Sequence, residues 1–187
     1  MLKYIRPAFT TLALMTLITG IAYPLSITAV AQLVFAEQAN GSLVYDKAGQ
    51  VRGSALLAQP FDGPQWFHPR PSAGDYATVA SGASNLAPSN PELAAQVRAK
   101  LNDWNGTVER PVPMELVTTS GSGLDPHLGV AAARFQIVRI AAARGVPPEQ
   151  LEQLIEVHLT RPLVGPEVVN VLALNRELAD NLRPDFR

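Results

Sequence analysis

A stretch of thirty residues, from Pro7 to Ala36, has no charged side chain and sets the first constraint on this chain. A straight helix of that length would be about 45 Å long, whereas the hydrocarbon core of a bilayer is ~30 Å thick. The sequence therefore predicts one membrane-spanning helix over about Ala8–Val30, continuing beyond the membrane. Pro24 removes a backbone donor inside this run and predicts a kink, against which a partner helix could pack.

The charges on either side of the stretch predict its orientation. Lys3 and Arg6 precede it, whereas all 16 acidic residues follow it, so the chain from residue 37 onward has a net charge of −3. Cytoplasmic flanks of membrane spans are enriched in Lys and Arg, which predicts a cytoplasmic N-terminus. We expect residues 1–36 to form the cytoplasmic tip and the anchor, and residues 37–187 to form one extracytoplasmic soluble domain.

A cleaved secretory signal is the alternative interpretation of the same region. Lys3 and Arg6 would be its basic part, and Ala29-Val30-Ala31 has the small-x-small pattern of a cleavage site. Signal cores are ~7–15 residues long, however, and the uncharged run is about twice that length. Both interpretations place the remainder of the chain outside the cytoplasm.

Composition excludes several classes of function. The chain has no cysteine, which excludes disulfides, thiolate metal sites and a cysteine nucleophile. Its three histidines, His68, His127 and His158, are far apart in sequence, and we predict no metal site. No basic face is wide enough to neutralise many phosphates, so we expect no nucleic-acid partner.

The exported part mixes helix and strand patterns and predicts an α/β (α+β) domain with a small sheet. Residues 42–51 predict a β-hairpin that turns at Asp46–Gly49. Asn90 and Pro91 begin a helix that ends at Asn105. The next predicted helix starts at Asp125-Pro126 and ends at Gly145, and its predicted buried stripe is Leu128, Ala131, Phe135, Val138 and Ala142. The remaining predicted elements are a helix over about Pro148–Leu159, a strand over Val168–Leu174 and a helix over Glu177–Leu182.

Residues 59–90, here called the aromatic–proline segment, combine prolines with aromatic side chains. The prolines exclude a long helix, and the aromatics argue against a disordered linker. The segment is either a loop pinned by buried aromatics or a functional surface. The candidate partner contacts are Trp66, Phe67, Arg70, Ser81 and Asn85 in this segment and Pro24 in the span.

Residues 118–127, here called the serine–glycine loop, form the most suggestive local motif. A Gly/Ser-rich loop that enters a helix presents free N–H groups and attracts anions. No lysine follows the glycines, so the loop is not a Walker A motif, and Asp125 would repel a phosphate. The alternatives are a flexible turn with an Asp cap and a hydrolase pair of Ser122 and His127. The strand–Gly-x-Ser-x-Gly–helix elbow is not matched, and we predict no catalytic residue.

The string DKAG at Asp46 is similar to the DKTGT phosphorylation loop of P-type ATPases. Ala48 stands where that loop has threonine, and no Gly-Thr follows. Asp and Gly are also favoured turn residues. We interpret the string as the hairpin turn, and the chain as lacking the phosphorylated aspartate.

Five groups of strings, in order along nearly the whole chain, resemble the C subunit of the Kdp potassium-transporting ATPase. They are RPAFTTLALMTLITGIAYPL; QANGSLVYDKAGQVRGSALLAQPF; WFHPRPSAGDY with SGASNLAPSNPEL; VPMELVTTSGSGLDPHLGVAAARFQIVRIAAARG; and VVNVLALN. Each string alone is modest, but their order makes the resemblance specific.

The resemblance implies a bacterial inner-membrane complex that imports K⁺ at the expense of ATP. Its implied partners are a channel-like K⁺-translocating subunit, a P-type ATPase subunit and a small one-helix subunit. The family is described as a catalytic chaperone that raises the ATP affinity of the ATPase subunit, and the chain has no cofactor of its own. On this sequence the implied nucleotide-binding positions are Ser120, Gly121, Ser122, Gly123, Asp125 and Gln136.

The predicted topology conflicts with direct ATP contact, because ATP is absent outside the cytoplasm. We therefore expect a non-catalytic accessory subunit whose outer domain lies against the entrance of the channel-like subunit and stabilises the complex. The alternative from another class is a stand-alone, membrane-tethered module that binds a cell-envelope ligand.

Overall fold

The computed structural model describes residues 2–181. The chain divides into two compact units between Leu43 and Val44. The described part contains helices together with one two-stranded and one three-stranded sheet, which confirms the predicted α+β class. The predicted boundary between anchor and exported domain, at residue 36, stays a prediction.

The first unit is dominated by a helical run of 30 residues, Ile5–Val34, which is long and apolar enough to cross a membrane. It consists of α1 (Ile5–Met15), a π-helical segment (Thr16–Ala22) and α2 (Tyr23–Val34), and a short helix α3 (Ala36–Ala39) follows. The π-helical segment ends two residues before Pro24, which cannot donate a helical hydrogen bond. The N–H of Tyr23 bonds to the carbonyl of Ile18, five residues earlier.

Four hydroxyl groups in the apolar run are satisfied inside the helix itself. Each donates to the backbone carbonyl four residues earlier, at distances of 2.7–2.9 Å. Such back-bonding removes the cost of carrying a free hydroxyl donor into an apolar environment. The residues concerned are Thr10, Thr19, Ser26 and Thr28.

The predicted hairpin is confirmed. Strands β1 (Leu43–Tyr45) and β2 (Val51–Ser54) pair, and a carboxylate organises their turn. Asp46 Oδ1 accepts the N–H groups of Ala48 and Gln50, both at 2.9 Å. These bonds, first that from Gln50, hold the pKa of the Asp46 carboxyl below its ordinary value. DKAG is a turn motif in this structure.

Helix α4 (Pro91–Trp104) has the predicted ends. Asn90 Oδ1 accepts the N–H of Glu92 at 2.9 Å, and Asn105 is left-handed with φ +49°. A short 3₁₀ turn, Met114–Leu116, follows before the serine–glycine loop.

The predicted start of the next helix and its buried face are wrong. Residues His127–Gly129 form strand β3, and α5 begins only at Val130 and ends at Arg144. The helix is rich in alanine on every side, so apolar spacing could not identify the inner face. Of the predicted stripe, Leu128 is buried in the strand and Phe135 is half-buried, whereas Ala131, Val138 and Ala142 are exposed. The helix residues that are buried are Ala132, Ala133, Gln136, Ile137, Ile140, Ala141 and Arg144.

The C-terminal elements complete a three-stranded antiparallel sheet of order β3-β5-β4. Helix α6 (Pro148–Val157) ends before strand β4 (Leu159–Thr160), and Leu159 pairs with Val169 rather than extending the helix. Strand β5 (Val168–Asn170) is shorter than predicted, because Asn170 Oδ1 accepts the N–H of Ala173 and begins α7 (Val171–Asn181). Leu182, the predicted end of this helix, lies outside the described residues.

Helices α5, α6 and α7 and the three-stranded sheet enclose one hydrophobic core. Its members include Leu128 and Val169 from the sheet, and Phe67 from the aromatic–proline segment is buried among them. On α6, Leu151, Leu154 and Ile155 are buried against this core, and Leu159, which belongs to β4, is half-buried.

Candidate functional site

Two buried amides hold the centre of the aromatic–proline segment. Gln136, from α5, accepts the N–H of His68 at 2.8 Å and donates to its carbonyl at 3.0 Å. Asn175, from α7, makes the same reciprocal pair with Phe67, at 2.9 and 2.8 Å. Both amide residues are at most 2% exposed. The segment is thus attached through its backbone to two core helices.

Two arginines of α5 extend this attachment. Arg139 donates to the carbonyls of Gly63, Pro64 and Trp66 at 2.8–3.3 Å, and burial lowers the pKa of its guanidinium to about 10. Arg144 donates to the carbonyl of Gln65 at 2.7 Å. Cationic side chains on helices are usually solvated, but Arg144 is buried and Arg139 is half-buried. They are committed to the backbone of the aromatic–proline segment.

The aromatic side chains contribute to the same arrangement. The Arg144 guanidinium lies 4.5 Å from the centre of the Trp66 ring, and Arg139 lies 5.3 Å from that of Trp104. Phe67 is wholly buried. The first interpretation of the segment, a loop pinned by buried aromatics, describes residues 61–68. Of the two aromatic partner-contact candidates, Phe67 therefore lies in the core and Trp66 is half-buried.

Beyond Pro69, the segment interlocks with the serine–glycine loop. The N–H of Ser120 donates to the carbonyl of Pro71 at 3.2 Å, and the carbonyl of Ser122 accepts the N–H of Gly82 at 2.8 Å and the hydroxyl of Ser81 at 2.9 Å. Gly123 has φ +70°, and a Cβ there would lie 2.8 Å from the carbonyl oxygen of Gly82. The contact therefore requires glycine at position 123 for two reasons: the positive φ disfavours other residues, and the carbonyl of Gly82 leaves no room for a Cβ.

An ion pair lies at the base of these two loops. Arg70 Nη1 is 3.5 Å from Asp125 Oδ2, and Arg70 Nη2 donates to the carbonyl of Thr119 at 3.1 Å. Asp125 also accepts the N–H of His127 at 3.0 Å. Hydrogen bonding from His127, with a smaller contribution from Arg70, lowers the pKa of the Asp125 carboxyl. The structure thus joins three partner-contact and nucleotide candidates, Arg70, Ser81 and Asp125, through the two loops.

The remaining predicted site residues do not all lie at this junction of the two loops. Ser120 is buried, whereas Gly121 and Ser122 are exposed at the surface of the loop. Asn85 is exposed, has φ +54° and donates to the carbonyl of Ala83 at 3.1 Å. Pro24 belongs to the first unit and is the second residue of α2, which follows the π-helical segment.

The serine–glycine loop enters a strand and not a helix, which removes the reason to expect an anion site at its end. The helix that follows already has an anion at its N-terminus, since Glu115 Oε2 accepts the N–H of Gly129 at 2.7 Å. Gln136 uses its amide on His68 and also accepts from Arg139 at 2.8 Å. The nucleotide-binding set stays a prediction. Gln136 binds the backbone of His68, and Ser120 in the serine–glycine loop binds the carbonyl of Pro71, so the two parts of the set hold opposite ends of residues 68–71.

The serine and histidine of the hydrolase alternative are turn residues. Ser122 Oγ accepts the N–H of Leu124 at 3.1 Å, and His127 Nδ1 lies 3.7 Å from Asp125 Oδ1. No group of three or more His, Asp or Glu side chains suited to a metal ion occurs among residues 2–181.

The organising roles of Asn175, Glu115 and the two arginines were not predicted from the sequence. Asn175 lies in the apolar string VVNVLALN, and a lone amide in such a string is a signal for a buried hydrogen-bonding role. Gln136 and Arg144 are a similar signal in the alanine-rich helix α5. Glu115 gave no such signal, because its partner, Gly129, is found only through tertiary structure.

Comparison with known proteins gives a family match over most of the chain. The family model described as "K+-transporting ATPase, c chain" matches residues 5–180. The "Potassium-transporting ATPase KdpC subunit" of Pseudomonas aeruginosa PAO1 is 59% identical over 179 residues, which are 96% of this chain and 98% of that protein. The proteins of that name in Pseudomonas savastanoi pv. phaseolicola 1448A and Pseudomonas putida F1 are 58% and 59% identical over 178 residues each, which are 95% of this chain and 94% and 96% of those proteins.

Proposed function

The chain belongs to the KdpC family of K⁺-transporting ATPase subunits, and we propose that it is a non-catalytic accessory subunit that assembles and stabilises the complex. In this proposal the partners are a channel-like K⁺-translocating subunit, a P-type ATPase subunit and a small one-helix subunit. The complex resides in a bacterial inner membrane, and this chain contributes one membrane helix and one soluble domain.

The observation that carries the proposal is the internal use of the polar groups in the candidate site. Gln136, Arg139 and Arg144 bind the backbone of the aromatic–proline segment, and Ser122 and Asp125 organise turns. A reaction centre needs polar groups that are aimed at a substrate. These groups instead fix the shape of two loops, and a fixed surface is what a stabilising subunit requires.

The flanking charges support an extracytoplasmic soluble domain. Lys3 and Arg6 precede the apolar run, and the first charged residue after it is the acidic Glu37. In this orientation the outer domain lies beside the entrance of the channel-like subunit. No residue of the Thr-rich run around Pro24 is buried in the isolated chain, which leaves its surface available to partner helices and lipid.

The family description, a catalytic chaperone that raises the ATP affinity of the ATPase subunit, is the second candidate function. It would use the loop Ser120–Asp125 together with Gln136. The engaged amide of Gln136 and the carboxylate of Glu115 at the α5 N-terminus favour the assembly role. Photolabelling of the complex with an azido-ATP distinguishes the two: label on this chain supports nucleotide handling, and label confined to the ATPase subunit supports assembly.

The test is purification of the complex from cells with and without this chain. We expect that, without the chain, the channel-like and ATPase subunits no longer co-purify, and that K⁺-stimulated ATP hydrolysis is lost from the purified fraction. Restoring the chain should restore both. Equal recovery of a K⁺-stimulated complex in its absence would contradict the accessory role.

A further inference from the structure

A groove of about 480 Å³ runs between helix α4 and the two interlocked loops. Leu93 and Val97 contribute one apolar wall from α4, and Val117 contributes to the other side. Asp75, Glu92 and Lys100 lie along the rim. A volume of this size suits a few side chains of a peptide segment.

Helix α4 has an apolar face that the chain does not cover. Leu93, Val97 and Leu101 recur at the spacing of a buried helix stripe, yet no residue of α4 is buried. Leu93 and Val97 are half-buried, and Leu101 is exposed. Trp104, at the end of the helix, is the residue of this stripe that packs against the core. The other three positions of the stripe are therefore open beside the groove.

The charge of the rim indicates what chemistry a partner needs. Lys100 is paired with Asp103 at 3.6 Å. Asp75 and Glu92 have no ion-pair partner among residues 2–181, although Glu92 accepts a hydrogen bond from Gln96 at 3.2 Å. The groove therefore presents two uncompensated carboxylates beside an apolar wall. It is complementary to a cationic side chain flanked by apolar ones, and it repels anionic lipid headgroups.

The wall opposite α4 is preformed. Ser72 Oγ accepts the N–H groups of Gly74 and Tyr76, at 3.2 and 2.9 Å. Asp75 and Tyr76 both have positive φ, +49° and +60°, and the Tyr76 hydroxyl donates to the carbonyl of Arg70 at 3.0 Å. A wall fixed in this way loses little conformational freedom when a segment binds.

We propose that this groove is a docking site for a peptide segment of another subunit of the complex. The segment carries at least one apolar side chain, which packs on Leu93 and Val97, and a Lys or Arg that faces Asp75 and Glu92. The inference rests on the proposed accessory function and names the surface through which this chain contacts its partner.

A photocrosslinking amino acid at Gln96, which lines the groove, tests the proposal in the complete complex. The same amino acid at Val157, an exposed residue of α6, is the control. We expect an adduct between Gln96 and another subunit, with a Lys or Arg close to the crosslinked residue, and a much weaker adduct from Val157. An adduct between two copies of this chain, an adduct with lipid, or equal adducts from both positions would overturn the proposal.

A matched pair of charge reversals provides the second measurement. Glu92 and Glu149 are both exposed acids in the first turn of a helix, so Glu92→Lys and Glu149→Lys both lose a favourable interaction with the helix dipole. We expect Glu92→Lys to weaken association of the chain with the other subunits by about tenfold, and Glu149→Lys to leave it unchanged. Equal retention of both variants in a complex that the wild-type chain does form would overturn the groove and leave the accessory function standing. If the wild-type chain itself fails to co-purify with the other subunits, the accessory function fails.

Discussion

The side-chain amide of Gln136 and the backbone of His68 form a reciprocal pair of hydrogen bonds, with the N–H donating at 2.8 Å and the carbonyl accepting at 3.0 Å. Without this pair, the backbone N–H and carbonyl of His68 would lie against helix α5 with no hydrogen-bond partner from that helix. An irregular segment can enter a protein interior only if its backbone groups are paired. Gln136 and Asn175 supply that pairing for His68 and Phe67.

Replacing Gln136 with leucine should destabilise the chain by about 3 kcal/mol, because the N–H and carbonyl of His68 would remain buried without partners. Urea unfolding of the full chain in detergent, followed by the fluorescence of Trp66 and Trp104, measures the change. Gln153, on the exposed side of α6, is the control, and Gln153→Leu should change stability by less than about 0.5 kcal/mol. Equal effects of the two substitutions would show that the buried amide pair contributes nothing.

Gly123→Ala should destabilise the interlocked loops by at least about 1–2 kcal/mol. Gly123 has φ +70°, and the added methyl group would approach the carbonyl oxygen of Gly82. Gly121, two residues earlier, has no atom within 4 Å of its would-be Cβ, so Gly121→Ala is the matched control and should be close to neutral. The measurement is the urea midpoint of each variant. A neutral Gly123→Ala would contradict the close approach of the two loops.

Stability should fall when the pH decreases below the ordinary His pKa of about 6.5, because His68 is held neutral. Burial, and then the charge of Arg139, lower the pKa of His68, whereas the hydrogen bond to the Gly63 carbonyl and then the charge of Asp62 oppose this. The unfolded chain therefore binds a proton that the folded chain rejects, and stability is present above pH 6.5 and is lost on acidification.

Thermal unfolding of the full chain between pH 7 and pH 5 tests this dependence. We expect the apparent Tm of the wild-type chain to decrease over this range, and that of His68→Gln to decrease less. His158→Gln, at a second half-buried histidine, is the comparison variant. If the slope of His68→Gln equals that of the wild type, His68 is not the group that titrates.

The sequence was sufficient to predict the elements whose signals are local. The apolar run, the Asp46 turn and the Asn90–Pro91 helix start each depend on neighbouring residues, and the structure has all three. The inner face of α5 could not be predicted in this way, because alanine lies on every side of the helix and the spacing of apolar residues therefore favours no single face. The buried Gln136 and Arg144 mark the face that packs inward.

The candidate site depended more strongly on tertiary structure. The serine–glycine loop was predicted to enter a helix, but residues 127–129 pair with residues 168–170 across the sheet and form a strand. A three-residue strand that pairs with a segment forty residues away has almost no local pattern. The contact of Gly123 with Gly82 is similarly invisible in sequence, although both glycines are in motifs that sequence analysis had selected.

The side of the membrane on which the soluble domain lies is the central claim, and single-cysteine labelling tests it directly, since the chain has no native cysteine. Val164→Cys places the thiol at a residue that is 89% exposed, and Tyr4→Cys places one before the apolar run. With a membrane-impermeant maleimide on intact spheroplasts, we predict labelling of Val164→Cys at once and of Tyr4→Cys only after permeabilisation. Labelling of Tyr4→Cys in intact spheroplasts, with Val164→Cys protected until permeabilisation, would contradict the account and place the soluble domain on the ATP-containing side.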